Sequence, residues 1–448
     1  MKEFDLLIIG GGPGGYTSAI RASQLGLKVA VAERAELGGT CLNWGCIPTK
    51  SLLHSADVLR EIQGASQFGI KTGKVEIDLK KMVGASRQAA QTLSQGVAHL
   101  MRKNKIEVIV GDASIQEPGL VTVGQEEILA DNTLISTGAK AKTLPGVEPD
   151  GKLIWSASDA MTPSVLPKTL LVVGAGAIGV EFASFYQTLG TKVTLVEVLD
   201  QILPAEDHEI AAMARASFEQ SGVEVMTSAE LGEIKRGKKL NVILNGEKRT
   251  FDAAILSVGV TGITQGLGVD EAFIDRGFIQ VDEYQRVSKG LYAIGDVSGP
   301  PCLAHKATHE GVIAAEVIAG LKPHPLQRMQ IPACTYSHPQ VASIGLNEQS
   351  LGDRAVKVGR YPFYANGKAV ATGATEGMIK TIFDSNTGEL LGAHMLGEGV
   401  SEMIQGFTIA MQLETTEAEL MNTIFPHPTI SESMQESVLS AYDQALNL

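Results

Sequence analysis

The chain has 448 residues, of which 44% are hydrophobic and 19% charged, a globular composition with length for about three domains. A net charge of −13 argues against non-specific nucleic-acid binding. No stretch of about 18 or more consecutive apolar residues occurs, so no membrane-spanning helix is expected.

Phe4–Ile9 is a short apolar run that ends in Gly10-Gly-Gly12-Pro-Gly-Gly15. No charged-then-apolar export signal comes before it, which makes a cytoplasmic location the expectation. A helical pattern follows from Tyr16 to Leu25, then a second strand, Lys28–Ala32, ending in Glu33. Strand, glycine turn and helix in this order are the context that a G-x-G-x-x-G dinucleotide site requires. Gly10, Gly12 and Gly15 permit close approach of a pyrophosphate to the helix N-terminus, and Glu33 is placed to accept from a ribose.

Residues 37–50 read Leu-Gly-Gly-Thr-Cys-Leu-Asn-Trp-Gly-Cys-Ile-Pro-Thr-Lys and hold Cys41 and Cys46, two of only four cysteines. Gly38 and Gly39 allow a tight turn. Pro48 is tolerated only near a helix start, so the pair is expected at a helix N-terminus, where the dipole favours thiolate over thiol. Lys50 lies one turn beyond Cys46 on the same face. Positions i and i+5 diverge in a regular helix, and Gly45 is the residue able to break it. Taken alone, C-x4-C is equally compatible with two unrelated buried cysteines. A metal-binding reading lacks a second Cys/His pair at suitable spacing.

Thr169–Val173 begins a second copy of the first pattern. Gly174-Ala-Gly176-Ala-Ile-Gly179 follows, then a helix to about Leu189, strand Lys192–Val196 and Glu197. Glu33 lies 18 residues past Gly15, and Glu197 lies 18 past Gly179. Later elements recur as well: Val-rich strands at Ile106–Val110 and Val223–Met226, then short antiparallel strands turning at Pro118-Gly119, Arg236-Gly237 and Asn245-Gly246. Each copy closes on an apolar strand and a glycine, Thr133–Ser136 with Thr137-Gly138, and Ala253–Val258 with Gly259. The chain thus contains a duplicated α/β module of Rossmann-like type. Ile106 is 96 residues beyond Gly10 and Val223 only 49 beyond Gly174, so the first copy carries about 47 extra residues, roughly 35–100. Both cysteines and Lys50 fall inside this insertion. Its later part, Met82–Lys103, has the pattern of an amphipathic helix with Gln88, Gln91 and Gln95 on a solvated face.

Pro145-Gly146 and Pro149 mark a crossing between modules. Leu291-Tyr-Ala-Ile-Gly295-Asp296 is a strand ending in Gly-Asp, ahead of a helix at Ala304–Ala319. Asp296 either bonds a sugar or sugar-alcohol hydroxyl or caps that helix. From Ile331 the pattern becomes α+β, with strands near Ala342–Ile344, Met378–Phe383 and Leu390–Leu396 and helices near Met403–Leu413 and Glu417–Asn422. It ends in Phe425-Pro-His427-Pro-Thr-Ile-Ser-Glu432. His427 stands out among nine histidines because Glu432 follows with Pro428 between them, and a carboxylate on one ring nitrogen orients an imidazole base.

The cysteine stretch, the two glycine modules, Tyr-Ala-Ile-Gly-Asp and His-Pro-Thr-Ile-Ser-Glu together resemble the pyridine nucleotide–disulfide oxidoreductases, in the same order over essentially the whole chain. The resemblance implies two FAD/NAD(P)-binding modules and a C-terminal α+β dimerisation domain. Expected boundaries are 1–146 and 266–330 for the FAD-binding and central parts, 147–265 for the NAD-binding domain and 331–448 for dimerisation. It implies FAD held by Gly10, Gly12, Gly15, Glu33, Lys50, Thr137, Gly138 and Asp296, and a nicotinamide dinucleotide held by Gly174, Gly176, Gly179, Glu181, Glu197 and Gly259. Glu181 would pair with Lys50, against the alternative of an exposed glutamate in the first turn of its helix. NAD is expected over NADP on physical grounds, because Glu197 would repel a 2′-phosphate and residues 198–214 contain no Arg or Lys.

The resemblance further implies oxidation of a dihydrolipoyl dithiol with reduction of NAD. Cys41 is then the interchange thiol, Cys46 the sulfur beside the flavin and His427, with Glu432, the base. A homodimer with composite sites follows, in which His427 serves the cysteines of the other subunit. The substrate arrives on a lipoyl-bearing acyltransferase or carrier protein of a multienzyme complex, since no lipoyl domain precedes residue 1. Two features depart from the family pattern: Cys302 stands where an apolar residue is usual, and Gly259-Val-Thr-Gly262 replaces an arginine-containing segment. Cys302 is read as a small hydrophobe and Cys334 as core. Competing readings are a glutathione-type or mercuric reductase, although residues 335–448 lack the cysteine pair of the latter, and a non-catalytic flavoprotein redox sensor.

Overall fold

Strand Lys2–Ile9 is buried on both faces, and its residues alternate between two cores. Leu6 and Ile8 pack with Ala19 and Ala22 of helix Pro13–Gln24 and with Ala314 and Ala315 of helix Ala304–Ile318. Leu7 and Ile9 pack with Val121, Val123 and Ile128 on the opposite side. This two-residue period with both faces covered is the pattern of a central parallel strand. Its parallel neighbours are Val29–Glu33 and Glu126–Ile135, and Glu107–Val110 and Leu291–Ala293 extend the sheet outward. Ala113–Glu117 and Leu120–Val123 turn at Pro118-Gly119 and pair antiparallel onto Glu126–Ile135. The computed structural model describes residues 1–448, and these elements belong to the first of two units: Met1–Leu52, Asp78–Lys142 and Gly259–Leu326.

The second unit comprises Leu53–Ile77, Thr143–Val258 and Gln327–Leu448. It repeats the first arrangement around Thr169–Val173, which lies parallel to Lys192–Val196 and Ala253–Leu256, with Glu224–Met226 and Ile154–Trp155 at the edges. An antiparallel meander, Leu231–Arg236, Leu240–Leu244 and Glu247–Phe251, covers one face. Its second turn uses Asn245 and Gly246 at φ 49° and 80°, the left-handed pair that a two-residue hairpin demands.

The same unit contains a five-stranded antiparallel sheet in the order Ala333–Thr335, Gln340–Gly345, Leu390–Gly397, Gly377–Asp384, Val356–Pro362. Helices Val400–Gln412 and Glu432–Ser440 bury Ile404, Phe407, Met434 and Val438 with Ile379, Phe383 and Met395. The α+β reading of the C-terminal part therefore holds.

The insertion is mainly helical: Gly39–Trp44, Cys46–Gly64, a short 3₁₀ turn at Ala65–Phe68, and Leu79–Lys103. Asp78 caps the last by accepting from the Lys81 N–H at 3.0 Å, which starts it three residues before the sequence pattern does. Gln88, Gln91 and Gln95 are exposed. No helix is long and apolar enough to cross a membrane.

Candidate active site

The cysteine stretch is two helices broken at one residue. Gly38 and Gly39 have φ of 96° and 57°, which only glycine adopts freely, and lead into Gly39–Trp44. Gly45, at φ −150° and ψ −113°, leaves the helical region, and Cys46 begins the long helix Cys46–Gly64. A side chain at Gly45 would press on the Thr40 carbonyl at 3.0 Å. The break brings together two thiols that a continuous helix would separate: Cys41 and Cys46 are not disulfide-bonded, and their side chains hydrogen-bond each other.

Ionisation of one thiol disfavours ionisation of the other. The Cys46 hydrogen bond, burial and the negative charge on Cys46 push the Cys41 thiol strongly up, while Lys50 pulls it down. The expectation that the helix dipole favours thiolate is therefore corrected at Cys41, which lies within a six-residue helix beside a competing thiol. Cys46, at the first position of the long helix, is where a dipole acts. Tyr16 is also pushed up, by burial and then by charge on Cys41 and Cys46, which marks it as a neighbour of the pair.

Three residues outside the sequence-predicted set hold this loop. Asn43 donates to the carbonyls of Leu37 at 3.1 Å and Gly39 at 3.0 Å. Ser94 donates to Leu37 at 2.8 Å. Arg87 donates to the Asn43 carbonyl and stacks 4.0 Å from the centre of the Trp44 ring. The insertion helix Leu79–Lys103 thus braces the thiol loop. Trp44 between the cysteines is the only sequence signal for such a partner, and nothing local singles out Arg87.

The two glycine loops repeat one geometry. Gly10 and Gly174 lie at φ 107° and 96°, each against the backbone of the strand that closes its module, at Ser136 and Ser257. A Cβ on Gly15 would overlap the Gly10 carbonyl, and one on Gly179 the Gly174 carbonyl. Gly12 and Gly176 begin their helices with no side-chain cap. Glu33 accepts the N–H of Gly11 at 2.7 Å and of Ala35 at 2.8 Å. Glu197 accepts the N–H of Ala175 at 2.8 Å and of Leu199 at 3.1 Å. Each carboxylate therefore also fixes its own loop. In the first module Gly39 comes so close to Gly12 that a Cβ there would lie 2.8 Å from the Gly12 Cα. Backbone-lined, uncapped helix starts of this kind fit the pyrophosphate of a dinucleotide.

Thr137 donates to the Ile263 carbonyl at 2.8 Å, and Gly138 follows at φ 72°. Gly259, at φ 91°, opens the segment that returns to the first unit, and its carbonyl accepts from the Lys142 N–H at 2.9 Å. Asp296 lies in the short turn Gly295–Ser298. It does not cap the next helix, whose N-cap is Leu303 with no side-chain bond. Burial pushes its carboxyl up, with Lys306 opposing.

In the second unit Glu181 is buried, not exposed, and accepts the Tyr336 N–H at 3.0 Å. The alternative of a solvated first-turn glutamate is thereby overturned. His427 is exposed at the end of the chain. Its Nδ1 lies 2.9 Å from Glu432, whose other oxygen accepts the Thr429 N–H at 2.8 Å. Burial opposes ionisation of Glu432, but these two bonds prevail and hold its carboxyl below the usual range. The result is an exposed imidazole oriented through its Nδ1. Burial and the nearby Asp296 push the Cys302 thiol up to about 11, which fits a small apolar filler. Cys334 packs against the C-terminal core.

Residues 4–311 match the model described as pyridine nucleotide-disulphide oxidoreductase, and residues 331–438 match that family's dimerisation domain. The dihydrolipoyl dehydrogenase of Zymomonas mobilis is 52% identical over 462 residues, covering 99% of each chain. That of Rhizobium etli is 50% identical and covers 100% of this chain and 99% of its own. Among solved structures, LpdA of Mycobacterium tuberculosis superposes with a TM-score of 0.90 at 26% identity, covering 98% of this chain and 99% of its own. The HOCl-induced flavoprotein disulfide reductase of Escherichia coli gives 0.87 at 27%, covering 97% and 99%.

Proposed function

We propose a reaction from the premise that this chain belongs to the pyridine nucleotide-disulphide oxidoreductase family: it oxidises dihydrolipoyl groups to lipoyl and reduces NAD to NADH, as a dihydrolipoyl dehydrogenase does. The observation that carries this reading is the hydrogen-bonded Cys41–Cys46 pair within the first of two dinucleotide modules. The chain pairs as a homodimer through its C-terminal domain.

The catalytic cycle starts from the Cys41–Cys46 disulfide. His427, oriented by Glu432, takes a proton from a substrate thiol. The thiolate attacks Cys41, forms a mixed disulfide and expels Cys46 as thiolate. The second substrate thiol then attacks the mixed disulfide, which frees the cyclic lipoyl disulfide and leaves Cys41 protonated. That distribution of one proton and one charge matches the raised Cys41 thiol, and Lys50 offsets the charge on the pair. When bound, FAD supplies the route by which the two electrons leave the dithiol for NAD. In the first module the Gly10–Gly15 loop, Glu33, Thr137, Gly138 and Asp296 hold FAD. In the second the Gly174–Gly179 loop, Glu181 and Glu197 hold NAD, and Gly259 follows the strand that closes that module.

His427 of one subunit serves Cys41 of the other. The dihydrolipoyl group arrives on an acyltransferase or carrier protein of a multienzyme complex. A cysteine pair that opens and closes in every turnover, rather than serving as a fixed structural cross-link, suits a reducing, cytoplasmic setting.

The test is direct. Purified protein is checked for bound FAD and supplied with dihydrolipoamide and either NAD or NADP. NADH formation with little NADPH, and a long-wavelength thiolate–flavin band after two-electron reduction, are expected. Bound flavin without turnover would defeat the enzymatic reading.

A further inference from the structure

Lys306 and Glu310 lie one turn apart on helix Ala304–Ile318, and each side chain is only 1% exposed. The ammonium is 3.1 and 3.2 Å from the two carboxylate oxygens. It also donates to the carbonyls of Gly295 at 3.0 Å and Gly299 at 2.9 Å. Glu310 in turn accepts the Gly295 N–H at 2.7 Å. The pair thus grips both ends of one turn, and Gly295 and Gly299 meet it at φ 75° and 105°.

Burying an ion pair is a poor route to stability, since an apolar pair of similar size is often as good or better. What this pair provides is a fixed backbone. The ammonium uses its three donors on two carbonyls and one carboxylate, a set that no apolar side chain reproduces. The one titratable residue inside the gripped turn is Asp296, which caps no helix.

We propose that Lys306 and Glu310 are positioning residues for FAD: by clamping Gly295 and Gly299 they aim Asp296 at the polar chain of the cofactor. The proposal rests on the reading that the first unit holds FAD with Asp296 among its contacts.

The measurement is the rate of FAD release from diluted holoenzyme, followed as the rise in free-flavin fluorescence, for wild type, D296N and the double variant K306M/E310M. Circular dichroism and Tm are recorded for each. The double variant keeps side-chain length and removes both charges, so a purely structural role predicts a folded protein with wild-type release. The positioning role predicts a folded protein that releases FAD at least about tenfold faster, in the range of D296N. Wild-type release from the folded double variant, with fast release from D296N, overturns the proposal alone. Wild-type protein without FAD, or D296N with wild-type release, overturns the reading beneath it and the proposal with it. Should the double variant not fold, E310Q keeps the volume but turns one acceptor into a donor facing a donor. Release about threefold faster or more is then expected, and unchanged release overturns the proposal.

Discussion

The two dinucleotide modules share a loop and part company directly after the carboxylate that braces it. Glu33 and Glu197 each accept two backbone N–H groups, from equivalent positions. Beyond Glu33 the chain enters the Gly38-Gly39 turn and the thiol pair, braced by Asn43, Ser94 and Arg87. Beyond Glu197 it runs to Glu206 and Asp207, both buried, and Asp207 accepts from Lys380 of the C-terminal sheet and from the Glu348 N–H. The duplication separates two tasks: the shared loop geometry serves nucleotide binding, and the first module's insertion serves thiol chemistry.

Removing the thiol that the second module lacks gives the largest expected effect. Cys46→Ser should reduce NADH formation by roughly 10,000-fold, the scale of losing a nucleophile, while FAD content stays at the wild-type level. Retained turnover would mean the insertion is not the redox element. His427→Ala comes next, because it removes the proton acceptor without touching either module. Dihydrolipoamide turnover should fall by about 100- to 10,000-fold. The thiolate–flavin band on chemical reduction should persist, and its loss would show that His427 acts on the cysteines themselves.

Equivalent glycines test whether the modules hold different cofactors. A methyl at Gly15 or Gly179 overlaps the first carbonyl of its own loop. Overpacking of this kind costs about 1–3 kcal/mol, enough for roughly tenfold weaker binding or more. Gly15→Ala should therefore be purified with depleted FAD. Gly179→Ala should keep its flavin and its charge-transfer band and show a raised KM for NAD. If the two variants lost the same cofactor, the division of labour would be wrong.

What the sequence made legible was whatever depends on local spacing. The two glycine loops, the Gly45 break and the Asn245-Gly246 turn follow from residue types within a few positions of one another. The residues that were misread or missed depend on distant partners. Glu181 looks like a solvated helix glutamate until Tyr336, far along the chain, supplies an N–H to it. Asp296 has two readings until the helix after it is seen to start without a side-chain cap. Lys306 and Glu310 have the i, i+4 spacing of an ordinary surface pair, and only burial shows that they grip the turn before them. Arg87 carries no local signal, because its role is defined by Trp44 and the Asn43 carbonyl. The direction of the Cys41 shift was also out of reach, since it depends on how closely the second thiol approaches.

The smallest expected effect tests the other side of the comparison, that the stretch after Glu197 is an anchor rather than a chemical element. Glu206 is buried, with one carboxyl oxygen lacking a hydrogen-bond partner. Burial raises it from an ordinary 4.5 to about 7, a Ser343 bond opposes the rise, and the charge of Asp207 adds to it. Between these two values the folded state holds a proton that the unfolded state has released. The associated stability is fully present below pH 4.5 and is lost as pH rises through about 7, a loss on the order of 3 kcal/mol at most. Glu206→Gln removes the titration. Chemical denaturation at pH 5 and pH 8 should give a smaller difference for the variant than for wild type, with the variant the more stable of the two at pH 8. Activity at pH 7 should change less than about twofold, because Glu206 touches neither glycine loop. An unchanged pH slope would place the titrating group elsewhere, and a large loss of NAD binding would make this stretch part of the cofactor site rather than its anchor.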